Sequence, residues 1–352
     1  MRVTTSDIAK AAGVSQATVS IVLNNNTKIS ISSETRALVL KTAEQMGYKF
    51  KKRVKSSDKQ PVIGLLVPTL SNLYYPFLAQ NVERYAKTLG LTIVMQNTMR
   101  SEEFELQSIN YLRTIGAQGI LSLFTPKTPI PEDIPMVIVG EKLTEATVDT
   151  INLNSFVSGQ IAAEHLLSLG HKDIAYISTP FTNVTEARMN RKEGVSAKMA
   201  EAGISNRLVV LTNDDGDEMD NTESTYEFEC GAILTEKLLK EHPECTAIIA
   251  VNDMTAMGCI KTLNQRGIRI PEDMAICGFD NLYLDCMMSP QLTSVDQMAF
   301  HGCKMGLSIL LDKLTTSSTQ TQTEPVFLEY EPKLHIRNST LKQELKKLDL
   351  ET

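Results

Sequence analysis

Residues 6–24 read SDIAKAAGVSQATVSIVLN, and the reading of this stretch organises everything after it. Thr4 can cap a short helix, with Asp7 three residues on as its capping-box partner. Ile8, Ala9 and Ala12 then repeat at the spacing of one buried helical face. Gly13 follows, the residue best able to take the left-handed conformation that ends a helix. Ser15 is placed to cap a second helix from about Gln16 to Leu23. Val19, Val22 and Leu23 face inward there, and Gln16, Ala17, Thr18, Ser20 and Ile21 lie on its other faces. Two short helices joined by a tight glycine turn form a helix-turn-helix, whose second helix fits a DNA major groove. Small helical hairpins with such a turn also occur in proteins that never meet DNA, so the hairpin needs support from its surroundings.

The surroundings supply it. Ser32 can cap a third helix, SETRALVLKTAEQMGY, with Leu38, Ala43 and Met46 available to close a three-helix core. Residues 1–60 hold eleven Lys/Arg and four Asp/Glu, a net of +7, whereas the remainder carries a net of −14. A basic headpiece on an acidic body puts the polyanion-binding surface at one end of the chain.

The pattern D-I-A-x-x-A-G-V-S-x-x-T-V-S-x-V-L-N, then I-S-x-x-T-R-x-x-V ending in G-Y, resembles the headpiece of the lactose-repressor/galactose-repressor (LacI/GalR) family of bacterial regulators. The resemblance implies DNA contacts from Thr4, Ser15, Gln16, Ala17, Thr18, Ser20, Ile21, Asn24, Ser32, Thr35 and Tyr48. It also implies a two-lobed, periplasmic-binding-protein-like core that binds a small effector and dimerises. The chain departs from the family at Ile21, where Arg or His is usual. An isoleucine cannot hydrogen-bond a guanine edge but can meet a thymine methyl, and Gln16 is the candidate for a bidentate adenine contact.

After Tyr48 the segment KFKKRVKSSDKQP reads as a basic linker, with Lys51, Lys52, Arg53 and Lys55 able to lie near phosphates. The family's hinge usually carries Pro-Asn after the tyrosine, then Ala-Arg and a leucine that wedges into the minor groove. Here Phe50, Lys51, Val54, Lys55 and Ser57 stand instead, so electrostatic contact replaces the wedge in this reading.

From Val62 the texture becomes α/β. Apolar runs at 62–68, 91–96, 118–124, 136–140, 174–179, 207–212, 246–251 and 274–279 alternate with amphipathic stretches near 76–89, 103–115, 157–169, 185–202, 229–242 and 255–266. Strands buried on both faces and separated by helices predict doubly wound parallel sheets, here enough for two lobes. The expected organisation is a headpiece (1–48), a linker (49–61), a two-lobed core (62–340) and a tail (341–352). By the resemblance each lobe is discontinuous: lobe 1 takes about 62–163 and 296–324, lobe 2 about 164–295 and 325–340.

Ligands in such sheets sit at the carboxyl ends of strands. Tyr74 and Tyr75, in SNLYYPF after the first strand, could stack on a sugar or fill a core. Asn252 in VNDMTAMG and Asp280 in GFDN end strands, where they could hold hydroxyls or merely cap the next helix. The resemblance favours ligand contact for both. It also places a ligand-holding guanidinium at Arg191 in ARMNRKEG, and Phe124 joins the candidate effector set. Asn154 stands where the family often has Asp.

Several classes are disfavoured. There is no P-loop, no G-x-G-x-x-G after the first strand and no G-x-S-x-G elbow. The five histidines (165, 171, 242, 301, 335) join no catalytic motif, so no enzyme activity and no cofactor are expected. The six cysteines are scattered without a CxxC, so no metal site is expected and reduced thiols are. The eight acids of 213–229 do not fit a calcium loop and read as a solvated surface loop. Leu341, Leu345 and Leu348 in the tail keep heptad spacing for under two heptads, too short to hold an oligomer. No signal-peptide h-region and no apolar run long enough to cross a bilayer are present, giving a cytoplasmic expectation.

The reading is therefore a dimeric transcription regulator, in the repressor mode. It binds double-stranded DNA at a roughly palindromic operator and responds to a small effector, with carbohydrate the best guess. The alternatives are a solute-binding protein without a regulatory role, and a regulator controlled by a protein co-repressor.

Overall fold

In the computed structural model the described residues are 5–15, 18, 19, 22, 32, 35, 38, 39, 41–43 and 46 of the N-terminal unit. Of the C-terminal unit they are 61–141, 148–181, 186–213, 225–315 and 324–341; Gln60, at the end of the first unit, is also described. The chain divides into these two compact units between Gln60 and Pro61.

In the first unit, α1 (Thr5–Ala12) buries Ile8, Ala9 and Ala12. Gly13 ends it at φ +66°, a conformation that costs glycine nothing because it has no Cβ. The Thr18 amide donates to Ser15 Oγ at 3.0 Å, and the Thr35 amide to Ser32 Oγ at 3.2 Å. Both serines thus cap helical turns, as their positions in the sequence imply. The core of this unit contains Val19, Val22, Val39 and Ala43 beside the α1 residues, with Val14 and Met46 against it. Leu38, expected in that core, is 48% exposed, and Val39 takes its place. Val39 and Ala43 are four apart and share a face, whereas Leu38 lies about 100° round the helix. Thr4, Gln16, Ala17, Ser20, Ile21, Leu23, Asn24, Tyr48 and the whole linker candidate set (Lys51, Lys52, Arg53, Lys55) lie outside the described residues.

The second unit consists of two six-stranded sheets of matching topology. Lobe 1 is built from β1 (Val62–Val67), α2 (Tyr74–Thr88), β2 (Thr92–Asn97), α3 (Glu102–Ile115), β3 (Gly119–Ser122), β4 (Met136–Gly140) and β5 (Asp149–Asn152). Lobe 2 continues with α4 (Ser155–Ser168), β6 (Ile174–Ser178), α5 (Glu186–Glu201), β7 (Leu208–Thr212), α6 (Tyr226–Glu241), β8 (Ala247–Ala250), α7 (Asp253–Gln265), β9 (Ala275–Phe279) and β10 (Thr293–Asp296). The chain then returns to lobe 1 for α8 (Ala299–Thr315) and β11 (Phe327–Glu329), and ends its described part with β12 (Lys333–His335) in lobe 2. Sheet orders are β2-β1-β3-β4-β5-β11 and β7-β6-β8-β9-β10-β12. All pairings are parallel except β12 on β10.

The eight apolar runs are strands and the six amphipathic stretches are helices, with ends shifted by a few residues. β5, β10, β11, β12 and α8 carry no such signal. DTIN and TSVD are short and polar, and become strands because they lie between already formed neighbours. In α8, Gly302 and Gly306 weaken the helical pattern. They are also what lets the helix lie on the sheet: a Cβ on Gly306 would stand 2.7 Å from Leu121 Cδ1.

Sheet membership shifts two of the expected crossings. The first comes at 152–155 rather than near 163, because all of α4 packs on α5 and the lobe 2 sheet. The last comes at 329–333 rather than near 325, because β11 pairs with β5 of lobe 1. The middle crossing runs through Gln297 and Met298. Helices α4 and α5 approach so closely that a Cβ on Gly194 would sit 2.0 Å from the Phe156 carbonyl oxygen. That contact fixes α5, which carries two buried arginines.

Candidate functional site

The carboxyl ends of the two sheets face each other across a cavity of roughly 390 Å³. That volume lies in the range of small-molecule sites. All six candidate effector residues line it: Tyr74, Tyr75 and Phe124 from lobe 1, and Arg191, Asn252 and Asp280 from lobe 2.

The lobe 1 wall carries the aromatic rings of the cavity, set beside the polar and charged Asn72, Arg100, Lys127 and Glu141. Tyr74 and Tyr75 meet edge to face with ring centroids 5.1 Å apart. Burial raises both phenols above their ordinary range, Tyr74 strongly, so both are neutral donors. The Tyr74 hydroxyl is buried without a partner among the described residues. Both tyrosines also pack against the lobe 1 core, as the core reading of the sequence expects.

The lobe 2 wall is charged. Arg191 donates to the Val251 carbonyl at 2.6 Å and to Gln297 Oε1 at 2.5 Å, stands 3.4 Å from Asp280 Oδ1, and lies 4.9 Å over the Phe279 ring. Asp280 has φ +107°, a strained value for a residue with a side chain, and its backbone N–H bonds back to the Val295 carbonyl. Burial holds its carboxyl well above the usual range, against the pull of Arg191. Asn252 accepts the Thr255 amide at 2.9 Å and so caps α7, which leaves its amide nitrogen as the group it can offer the cavity.

The sequence reading missed a second polar set. Arg188 bonds Glu227 at 2.7 Å and also reaches Thr179, and Asn72 of lobe 1 donates to the other Glu227 oxygen at 2.6 Å. Asn190 of lobe 2 donates to Glu141 of lobe 1 at 2.9 Å. Gln297, besides accepting from Arg191, donates to Ser155 Oγ at 2.9 Å and so ties two crossings together. Arg188 was within reach of the sequence, three residues before Arg191 on one helical face. Glu227 was hidden in the acidic run. It is not part of a solvated loop: it lies in α6 with its side chain 11% exposed. Residues 214–224 of that run are outside the described set.

Asn154, the departure from the family pattern, adopts φ +41° at the first crossing. Its side chain caps α4 through the Val157 amide and donates to Glu329 at 2.8 Å. The six cysteines are free, five of them buried. No helix among the described residues is long and apolar enough to cross a membrane.

Comparison with known proteins adds identity to this geometry. Residues 4–50 match the model for bacterial regulatory proteins of the lacI family, and residues 163–340 match a periplasmic binding protein-like domain. The ribose operon repressor of Halalkalibacterium halodurans is 32% identical over 340 residues, covering 95% of this chain and 96% of the relative. This chain belongs to the LacI family. The HTH-type transcriptional repressor PurR of Haemophilus influenzae is 30% identical over 346 residues, covering 96% of this chain and 98% of that protein. The crystal structure of a LacI-family transcriptional regulator from Enterococcus faecium with bound ribose superposes with a TM-score of 0.66. It is 25% identical and covers 80% of this chain and 100% of that one. The chain is thus an effector-controlled, DNA-binding transcription regulator and not an enzyme.

Proposed function

We propose that this LacI-family regulator is a repressor that acts in the cytoplasm as a homodimer on a roughly palindromic operator, and that its effector is a carbohydrate held between the lobes. The observation that carries the effector assignment is the division of the cavity wall. Two edge-to-face tyrosines and Phe124 from lobe 1 face the pairs Arg188 with Glu227 and Arg191 with Asp280. A sugar suits this wall: its apolar face packs on rings, and its hydroxyls donate to Asp280 and accept from Asn252, Arg191 and the Tyr74 hydroxyl. The ribose found in the Enterococcus faecium regulator and the name of the ribose operon relative agree with this class.

For the operator, the second helix offers Gln16, Ala17, Thr18, Ser20 and Ile21 to base edges. Thr4, Ser15, Asn24, Ser32, Thr35 and Tyr48 serve the backbone, with Lys51, Lys52 and Arg53 along the phosphates. A two-fold dimer presents two such units, hence the palindrome. The exposed apolar residues Leu70, Leu73, Phe77, Met95 and Met99 of lobe 1 support self-association.

Selection of bound DNA from a random pool by the full chain, with and without D-ribose and related aldoses, tests all of this. The expected result is a selected palindrome, steep loss of affinity as salt rises, and a several-fold change with one sugar. Sequence-indifferent binding would remove the operator reading. Indifference to every sugar would remove the carbohydrate reading and favour a protein co-repressor.

A further inference from the structure

Behind Asp280 lie two more acids, Asp253 at the start of α7 and Asp285 in the short 3-10 helix after β9, both with no solvent exposure. Leu282 links them: its amide donates to the Asp253 carboxyl at 3.1 Å, and its carbonyl accepts from the Asp285 amide at 3.0 Å. Asp253 is well served: Ser294 Oγ lies 2.8 and 3.0 Å from its two oxygens, and the Leu282 amide donates at 3.1 Å. Asp285 is not. Among the described residues no donor bonds either of its oxygens, and the Arg337 guanidinium stands off at 3.8 Å. A carboxylate so placed would be a buried acceptor with nothing to accept, a costly state that one proton removes.

The charge count agrees. Three buried carboxyls, Asp280, Asp253 and Asp285, run between Arg191 on the cleft side and Arg337 on the far side. Asp280 is itself held above the usual range by burial, the cation nearest the other two stands 3.8 Å off, and two neighbouring carboxylates cannot both ionise cheaply in a buried site. The remaining titratable neighbour is the Cys277 thiol, which burial and Asp253 hold in its neutral form.

The pair also holds the loop that carries Asp280. Asn281 takes a second left-handed conformation, φ +49°. Its amide donates to Ser294 Oγ, and its side-chain oxygen accepts from Arg337. The Leu282 amide rests on Asp253. Beyond Asp280 itself, which is held by the Val295 carbonyl and Arg191, the tethers of this turn end on Asp253, or on Ser294 or Arg337, each of which contacts one of the two acids.

We propose that Asp253 and Asp285 share a proton, and that this proton clasps the loop presenting Asp280 to the cleft, so that effector recognition is proton-linked. The link to recognition rests on Asp280 serving the effector as proposed above; the proton itself does not. Burial raises both acids above the usual carboxylate range, Asp285 to about 7. A raised carboxyl favours the folded state most below its unfolded value of about 4, and that advantage is lost as pH rises towards 7.

The experiment is urea unfolding of the full chain from pH 5 to 8, wild type beside Asp285→Asn, whose amide can donate to Asp253 without a proton. The unfolding constant of wild type relative to the variant should rise about tenfold per pH unit between pH 5 and 6.5 and level off above 7.5. Amide exchange at Asn281 and Leu282, corrected for its chemical rate, should quicken from pH 6 to pH 8 in wild type only. Equal pH slopes for the two proteins would overturn the shared proton. Unequal slopes with exchange unchanged would overturn the clasp. Should the variant not fold, aspartate carboxyl carbon-13 shifts of wild type decide: a resonance titrating near neutrality is expected, and its absence refutes the proposal. These readouts need no effector, so they stand or fall apart from the carbohydrate assignment.

Discussion

Lobe 1 and lobe 2 share a strand order and turn the same ends of their sheets to one cavity, yet their walls differ. Lobe 1 presents the rings of Tyr74, Tyr75 and Phe124 beside Arg100, Lys127 and Glu141; lobe 2 presents Arg188, Arg191, Glu227, Asn252 and Asp280 and, among the described residues, no ring. The backbone therefore decides where a ligand lies, and the few residues beyond each strand decide what chemistry meets it. Lobe 2 also binds its wall tightly to itself. Its arginines bond Glu227, Asp280, Gln297 and a backbone carbonyl and leave Arg191 Nε open, whereas the one polar atom of Tyr74 in lobe 1, its hydroxyl, has no partner among the described residues.

This contrast can be broken by substitution, and the largest effect belongs to lobe 2. Asp280→Ala leaves Arg191 without its carboxylate in a site where the two side chains are 9% and 6% exposed. Breaking such a buried pair costs about 3–5 kcal/mol. Calorimetry should show the loss, and the response of operator binding to sugar should vanish while operator binding itself persists.

Next comes the scaffold beneath that wall. Gly194→Ala forces the α4–α5 contact open, at a cost of roughly 3 kcal/mol or more, read as a shift in the urea midpoint. Retained stability would mean that α5 is held by its side chains and not by the close approach at Gly194.

Glu227→Gln keeps the bond from Asn72 within reach and removes the charge facing Arg188. An expected cost of about 1–3 kcal/mol for a weakened charged hydrogen bond should come with weaker sugar binding by calorimetric titration. An unchanged protein would place Glu227 outside the working wall.

Tyr74→Phe sharpens the comparison from the other side. The removed hydroxyl has no partner among the described residues, so stability should change by less than about 1 kcal/mol. Sugar affinity should fall up to tenfold, since the hydroxyl's use lies in the ligand. A large loss of stability would show that the lobe 1 wall is bonded to itself as tightly as the wall of lobe 2.

Much of this was legible along the chain. The Gly13 turn, the Ser15 and Ser32 caps and the alternation of apolar runs with amphipathic stretches follow from local rules of spacing and capping, and all reappear in the fold. So do the strand-end positions of Asn252 and Asp280, because a strand followed at once by a helix leaves little freedom for the residue between. The reading failed where neighbours far along the chain made the decision. Leu38 and Val39 are equally apolar, and only the packing phase chooses between them. β5 and β10 look like loops until flanking strands offer them hydrogen bonds.

The class of molecule is written along the chain: a capped helix-turn-helix in a basic segment, followed by two doubly wound lobes with candidate ligand residues such as Asn252 and Asp280 at strand ends. Those signals are short-range, carried by periods of two and 3.6 residues and by turn chemistry, and need no partner to be read. Only the tertiary structure decided that Glu227 leaves an acidic run to pair with Arg188, that Gln297 ties two crossings to Arg191, and that Asp285 comes to rest on Asp253. The physical reason is that a charge on a lone chain is solvated and carries no address. It acquires a partner, a raised proton affinity and a role only when folding removes the water and brings another element against it.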